Sequence, residues 1–316
     1  MNKNDLKIVM CGCCEVGIDM VKDLVESGIK INHFVSLNSE KAEKCKISGY
    51  SSFEPIASKF KIPIYYAQNY NLNTEQDLSF FKKNRFDILL VGGWQRLIPS
   101  KVLNELSIGG FGFHGSSEFL PKGRGRSPIN WSLLEGKKRF IMHLFLMEPE
   151  ADNGNIIDIR VFDINEWDNC RTLYYKYSLV AKEMLISTIN KIKNGGEISP
   201  YKQIGEPTYY PKRTPDDGEI DWNKSVFQIY DFIRALTKPY PGAYSYINGK
   251  RNQIWKAQPF DTRITYYGKS IGEVVDIFQS GDFIVNCNSG LLLIEEADFV
   301  PEKGDVFTSV NIRKNL

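Results

Sequence analysis

The sequence predicts an α/β domain built on a mostly parallel, twisted Rossmann-like sheet, followed by a small β-rich (OB-like) C-terminal domain. Three observations carry this. In the first half, short apolar runs ending in glycine alternate with stretches whose apolar residues recur at helical spacing. After Gly195-Gly196 the pattern gives way to a segment rich in Pro, Asp and Tyr. From Ala243 onward, short strands are separated by Gly- and Asn-containing turns.

Leu6 to Met10 reads as the first strand, and Cys11-Gly12 turns the chain. Val16 to Ser27 has Val16, Met20, Val21, Leu24 and Val25 on one helical face, and Gly28 stops it. Ile31 to Leu37 is the next strand and Phe53 to Phe60 a helix. Ile62 to Tyr65 is a brief strand, and Leu78 to Lys83 closes another helix. Asp87 to Val91 is the most strand-like run of this half and ends in Gly92-Gly93. Strands alternating with helices require right-handed crossovers and hence a parallel sheet.

Phe140 to Met147 and Ile156 to Phe162 are two further strands around a loop, Glu148 to Gly154. Cys170 to Lys193 is a long amphipathic helix and Val226 to Leu236 a shorter one, broken by Lys238-Pro239-Tyr240-Pro241-Gly242. The last strands are Tyr244–Ile247, Asn252–Ala257, Ile271–Phe278, Asp282–Cys287 and Leu291–Glu296. The division expected is a catalytic domain over 1–200 and a C-terminal domain over 201–316, carrying the linker, the helix and a small β-barrel.

The composition narrows the function classes. Hydrophobic residues make up 42% and charged residues 25%, which suits a globular chain with a real core. A net charge of +2 is far from the basic footprint of a dedicated nucleic-acid binder. The polar start Met1 to Asp5 lacks the charged-then-apolar signature of a secretory signal, and no apolar run is long enough to span a bilayer. The six cysteines, Cys11, Cys13, Cys14, Cys45, Cys170 and Cys287, fit reduced thiols in a cytoplasmic protein. They lack the paired spacings of a zinc site, so no metal is expected.

In parallel sheets ligands sit beyond the carboxyl ends of the strands. Three such ends qualify: Cys11-Gly12, Gly92-Gly93-Trp94, and the segment leading to His114. The Gly12-x-x-x-x-Gly17 turn is a weak likeness of a phosphate loop, without the spacing of a dinucleotide site. His114 is one of only three histidines and is flanked by Gly112 and Gly115. A neutral-pH proton carrier set in open backbone suits acid–base chemistry. Ser116 adds a hydroxyl, and Lys122, Arg124 and Arg126 lie in a Gly-rich loop suited to an anion. Asp152-Asn153-Gly154 reads as a turn that could bring Asp152 beside His114. His143, within a strand, reads as a core or edge residue.

Taken together, Phe113-His114-Gly115-Ser116, Leu120-Pro121, Arg124-Gly125, Pro128, Trp131, His143 and Asp152-x-Gly154-x-Ile156 resemble the signature of the N10-formyltetrahydrofolate-dependent formyltransferases. Tyr210-Pro211-Lys212-Arg213-Thr214-Pro215-Asp216-Asp217-Gly218 and Arg234-Ala235-Leu236-Thr237-Lys238-Pro239-Tyr240-Pro241-Gly242 resemble the linker and early C-terminal region of methionyl-tRNA and sugar N-formyltransferases. The resemblance covers roughly residues 5–260.

It implies that His114 and Asp152 are catalytic. It implies that folate lies against Gly93, Trp94, Gln95, Arg96, Leu97 and Ile98, and that Ser116, Lys122, Arg124 and Arg126 contact the acceptor substrate. The family pairs its histidine with an asparagine two positions upstream, and here that position is Gly112. A backbone N–H, or Ser116, Gln95 or Asn130, would then have to serve the oxyanion. Trp94-Gln95-Arg96-Leu97-Ile98-Pro99 is more similar to the sugar enzymes, which implies a nucleotide-linked amino sugar as acceptor. Methionyl-tRNA is the alternative, and a non-catalytic folate- or sugar-nucleotide-binding relative is another. The Lys122–Gly125 stretch is also similar to loops of N-hydroxyornithine formyltransferases. A homodimer is the state the resemblance implies.

Overall fold

A computed structural model of the chain describes residues 6–47 and 49–309. The expectation placed on Met1 to Asp5 lies outside those residues. Contacts divide the chain into two compact units. The first takes residues up to Arg124, with Ile141–Val161 and Lys176–Thr208; the second takes Gly125–Phe140, Phe162–Tyr175 and the chain from Tyr209 on.

The elements follow in chain order. They begin with β1 (Ile8–Cys11), α1 (Glu15–Glu26), β2 (His33–Ser36), α2 (Ser39–Lys44), α3 (Glu54–Phe60), β3 (Ile64–Tyr66), α4 (Glu75–Asn84), β4 (Ile88–Val91), α5 (Ser100–Leu103) and β5 (Gly109–Ser116). Then come β6 (Arg124–Gly125), α6 (Pro128–Leu134), β7 (Arg139–Leu146), β8 (Ile156–Asp163), α7 (Cys170–Lys193) and β9 (Tyr209–Tyr210). The last are α8 (Val226–Leu236), β10 (Ala243–Ile247), β11 (Lys250–Asp261), β12 (Val274–Ile277), β13 (Phe283–Cys287) and β14 (Gly290–Ala297).

The large sheet has seven strands in the order β3-β2-β1-β4-β5-β7-β8. The first five are parallel and β7 returns antiparallel to β5. All four residues of β1 are buried, as a strand covered on both faces requires. From β1 the chain moves outward to β2 and β3, then crosses back to β4 and β5. The switch point of this doubly wound sheet therefore lies between the carboxyl ends of β1 and β4.

Backbones meet closely there. A Cβ on Gly12 or Gly17 would stand 2.4 or 2.2 Å from the carbonyl oxygen of Gly92. The two glycines of the phosphate-loop-like turn let the start of α1 sit on the end of β4, which is a packing role. Val21 and Leu24 of α1 are buried, whereas Val16 is exposed.

In the second unit, α8 starts on a capping box formed by Ser225 and Gln228 and buries Val226, Ile229 and Ile233. Its Arg234 is buried, pairs with Asp231 at 2.6 Å and donates to the carbonyls of Asn165 and Asp168. The five C-terminal strands form an antiparallel sheet in the order β10-β11-β14-β13-β12. Its two edges are bridged by one short segment, through Tyr246–Thr308 and Glu273–Val306. That gives the antiparallel β-rich C-terminal sheet expected from the turn pattern, with one segment running along both of its edges. Trp222 stacks on Phe307 at 4.9 Å and donates to Ser245 Oγ at 2.9 Å.

Candidate active site

His114 stands on β5, directly opposite His143 of β7 in the antiparallel register. Both are buried, at 7% and 0% exposure. Their ring environments differ. His143 Nε2 accepts the backbone N–H of Leu120 at 3.3 Å, and burial pushes its pKa down to about 4. That ring is a neutral structural acceptor, in line with the core role expected of it.

The His114 ring lies between two oxygens. Nε2 is 2.8 Å from the carbonyl of Gly123, and Nδ1 is 3.4 Å from Asp152 Oδ2. A carbonyl can only accept, so Nε2 carries a hydrogen and donates it. The Gly123 carbonyl therefore fixes the tautomer and orients the ring. Nδ1 is left as the nitrogen that faces Asp152. In a Ser-His-Asp triad the carboxylate instead orients the nitrogen remote from the chemistry.

Asp152 lies on the loop after β7, where its backbone adopts φ +54°. Asp tolerates this left-handed conformation better than most residues. Two residues on, a Cβ at Gly154 would fall 1.5 Å from the carbonyl oxygen of Leu146, so the loop crosses β7 with no room for a side chain. The turn that brings Asp152 to His114 thus depends on glycine at 154.

The loop from Ser116 to Arg126 divides into buried and exposed positions. Ser116 is fully buried; its hydroxyl donates to the Glu118 carbonyl at 2.8 Å and accepts the Glu118 N–H at 3.1 Å. It shapes the turn. Arg124 was expected to present its guanidinium to an anion, but it is buried, with Nη2 donating to Asn153 Oδ1 at 2.9 Å and to Gln203 Oε1 at 2.6 Å. Lys122 and Arg126 are the exposed cations of this loop.

The segment after β4 lies at the switch point. Gly93 has φ +75°, and a Cβ there would meet Cys14 Cβ at 2.7 Å. Trp94 and Ile98 are buried in the core, while Gln95, Arg96 and Leu97 are exposed. The Gln95 N–H is held by the Tyr70 hydroxyl at 2.8 Å, Trp94 packs edge-on against the Tyr70 ring, and the Arg96 guanidinium lies 5.0 Å above it. Gln95 Nε2 donates to Cys14 Sγ at 3.5 Å. Exposed backbone and side chains from Gln95 to Leu97, on a braced base, suit a flat heterocycle rich in donors and acceptors.

Of the side chains considered for the oxyanion, Ser116 is committed to its own turn and the Gln95 amide reaches Cys14. Asn130, in the second unit, donates Nδ2 to the Ala235 carbonyl at 2.7 Å. Sequence reasoning did not pick out the Gly123 carbonyl, Tyr70, Gln203 or Thr208. A backbone carbonyl leaves no trace in composition. Tyr70, Gln203 and Thr208 sit in polar loops with no spacing to mark them.

Among the described residues no cluster of three or more His, Cys, Asp or Glu side chains could hold a metal ion. No described helix is long and apolar enough to cross a membrane. All six cysteines are free.

The doubly wound sheet thus carries the His114–Asp152 pair on β5 and the loop after β7. The chain belongs to the formyl transferase family: residues 7–189 match the formyl transferase profile and residues 212–304 the profile of the formyl transferase C-terminal domain. Over 255 residues it is 34% identical to the bifunctional polymyxin resistance protein ArnA of Wigglesworthia glossinidia brevipalpis. That match covers 80% of this chain and 38% of ArnA, so the chain spans well under half the length of that relative.

Among solved structures, it resembles an N-formyltransferase from Helicobacter canadensis, in complex with folinic acid and dTDP-3-aminofucose. The TM-score is 0.66 at 18% identity, over 93% of this chain and 100% of that one. WlaRD, a sugar 3N-formyl transferase, gives 0.65 at 19% identity, over 93% and 98%. HypX from Aquifex aeolicus gives 0.64 at 15%, over 93% of this chain and 44% of that one.

Proposed function

We propose that this enzyme transfers the formyl group of N10-formyltetrahydrofolate to the amine of a nucleotide-linked amino sugar, of the kind built into surface polysaccharides. The observation that carries the reading is the His114 ring, held at Nε2 by Gly123 with Nδ1 turned to Asp152. The amine nitrogen attacks the formyl carbon and forms a tetrahedral oxyanion. Its proton passes to His114 Nδ1, and Asp152, on the same side, relays a proton toward the departing folate nitrogen. The C–N10 bond breaks, leaving a formamide and tetrahydrofolate.

Gln95, Arg96 and Leu97, with the backbone from Gly93 to Ile98, are assigned to the folate. Lys122 is assigned to the diphosphate, as an exposed point charge. Arg124 and Ser116 act behind it as supports. The acceptor class is supported by the small net charge and by the Helicobacter canadensis protein's complex with an amino-sugar nucleotide.

The test is a formyl-transfer assay with N10-formyltetrahydrofolate against a panel of dTDP-, UDP- and GDP-linked amino sugars, with methionyl-tRNA alongside. Formamide formation on one sugar nucleotide is expected. Turnover on methionyl-tRNA alone would overturn the acceptor assignment, and folate binding without turnover on any acceptor would favour a non-catalytic relative.

A further inference from the structure

We propose that Gln203 and Thr208 are positioning residues for the His114–Asp152 pair. The inference rests on the formyl-transfer reading. Both residues lie in the stretch between residues 189 and 212, which neither formyl transferase profile covers.

The stretch is stitched to the site at three points. At Tyr201 it pairs with Ile156, with N–H···O contacts of 2.8 and 3.0 Å in the two directions. At Gln203 the side chain grips the Asp152 turn: Nε2 donates to the carbonyls of Asp152 and Gly154 at 2.8 and 2.9 Å. Its Oε1 accepts Arg124 Nη2 at 2.6 Å, and the same Nη2 donates to Asn153 Oδ1 at 2.9 Å. The Gln203 amide and the Arg124 guanidinium thus hold three consecutive residues, 152 to 154, one of them at φ +54°. A left-handed residue stays in place only when its surroundings over-determine it.

At Thr208 the chain reaches the other side of the pair. The Thr208 hydroxyl accepts the Gly123 N–H at 2.8 Å, and its carbonyl accepts the Arg124 N–H at 2.9 Å. The Arg124 N–H and the Gly123 C=O belong to one peptide group. That group is bound at its N–H by Thr208 and at its oxygen by His114 Nε2. Hydrogen bonds in series polarise one another, so the Thr208 contact strengthens the carbonyl that orients the imidazole. One eight-residue stretch therefore sets both partners: the carboxylate through Gln203, the ring through Thr208.

Gln203→Met keeps the size of the side chain and loses every hydrogen bond. Gln203→Glu keeps an acceptor for Arg124 but has no N–H for the two carbonyls. A displaced reacting group loses rate rather than binding, so both variants should lose about 10- to 100-fold in kcat. KM for donor and acceptor should stay within about twofold. Gln203→Glu, which retains the arginine contact, should unfold within a few degrees of the wild type.

With only three histidines in the chain, the ring nitrogen resonances of His114 can be followed directly by NMR, with or without turnover. They should move in Gln203→Met and in Thr208→Val, which removes the hydroxyl that accepts the Gly123 N–H and leaves the main-chain bond from Arg124, while those of His33 stay fixed. Unchanged His114 resonances, or a kcat within about twofold of wild type in both Gln203 variants, would overturn the proposal. A wild type that turns over no amino sugar would instead defeat the functional reading, and the His114 resonances would still decide the clamp.

Discussion

The ring of Phe145 occupies the space that a side chain at position 112 would need. A Cβ on Gly112 would stand 2.8 and 2.9 Å from two of its ring carbons and 3.1 Å from Met147 Cγ. Gly112 and Phe145 are opposite one another in the β5–β7 ladder. Gly112 stands where the family resemblance places an asparagine, and the room for it has been filled by aromatic packing. Restoring the asparagine alone should therefore fail. Gly112→Asn is expected to destabilise the fold by about 1–3 kcal/mol, as overpacking does, without raising activity. Combining it with Phe145→Ala should be less harmful than the sum of the single changes, because the two positions share one space. Urea unfolding of the four proteins in the cycle measures this, and strict additivity would show that Phe145 is not the obstacle.

The orientation of His114 makes a distinct demand on Asp152. Because Gly123 fixes the tautomer through Nε2, the carboxylate is not needed to choose it. Asp152→Asn preserves size and polarity, so any loss reports on proton handling at Nδ1, 3.4 Å away. A fall in kcat of about 10²- to 10⁴-fold is expected, in the range of general acid–base catalysis. His114→Gln should fall as far, since its amide could still donate to Gly123 but cannot serve as a base. Steady-state kinetics with saturating donor decides it: an Asp152→Asn enzyme at a near-wild-type rate would remove Asp152 from the proton path.

Local pattern was enough for much of this architecture. The limits expected for α7 and α8 coincide with the observed helices: α8 carries strong apolar periodicity and a capping box, and α7 is long and stops at Gly195-Gly196. The short helices α2 and α5 carry too few turns to establish a period, and α6 is buried at five of its seven positions and so shows no polar face to mark one. Strand β11 runs to Asp261 rather than ending at Ala257, since register shifts interrupt the alternation by which its length would be judged. Within the site, His114 and Asp152 were legible as residue types that do chemistry. Their relative orientation was not, because it depends on a backbone carbonyl nine residues downstream and on a glutamine 51 residues past Asp152. Arg124 shows the opposite error: a guanidinium in a Gly-rich loop reads as an anion receptor, and only tertiary contacts reveal it turned inward.

His143 gives the fold a pH limit of its own. Burial lowers its pKa from 6.5 to about 4. In the unfolded chain the ring takes up a proton as pH falls through 6.5, whereas in the native state it stays neutral until about 4. The unfolded state therefore binds more protons across that window, and stability falls as pH falls. The difference corresponds to about 3 kcal/mol at full effect. His143→Gln can still accept the Leu120 N–H but has no titrating ring. Urea midpoints between pH 7.5 and 5 should decline more steeply in the wild type than in this variant, and parallel slopes would assign the acid sensitivity to other groups.

Cys14 offers a chemical handle on the segment assigned to folate. A hydrogen bond from the Cys13 thiol, aided by the Gln95 amide, holds the buried Cys14 thiol below the usual thiol range, while Cys13 is raised by the same pairing. The thiolate is the reactive form, so alkylation of Cys14 should set in at lower pH than that of an ordinary thiol. Cys11 and Cys287, whose thiols burial pushes up, should react far more slowly. In a Cys45→Ser background, which removes the one exposed cysteine, iodoacetamide labelling followed by peptide mass spectrometry should therefore mark Cys14 first. Gln95 contacts Cys14 Sγ directly, and Gly93 packs on its Cβ. A folate seated on Gly93 to Ile98 would press that segment onto the sulfur, so 5-formyltetrahydrofolate should slow labelling of Cys14 several-fold. Labelling that is indifferent to saturating folate would move the donor site away from this loop.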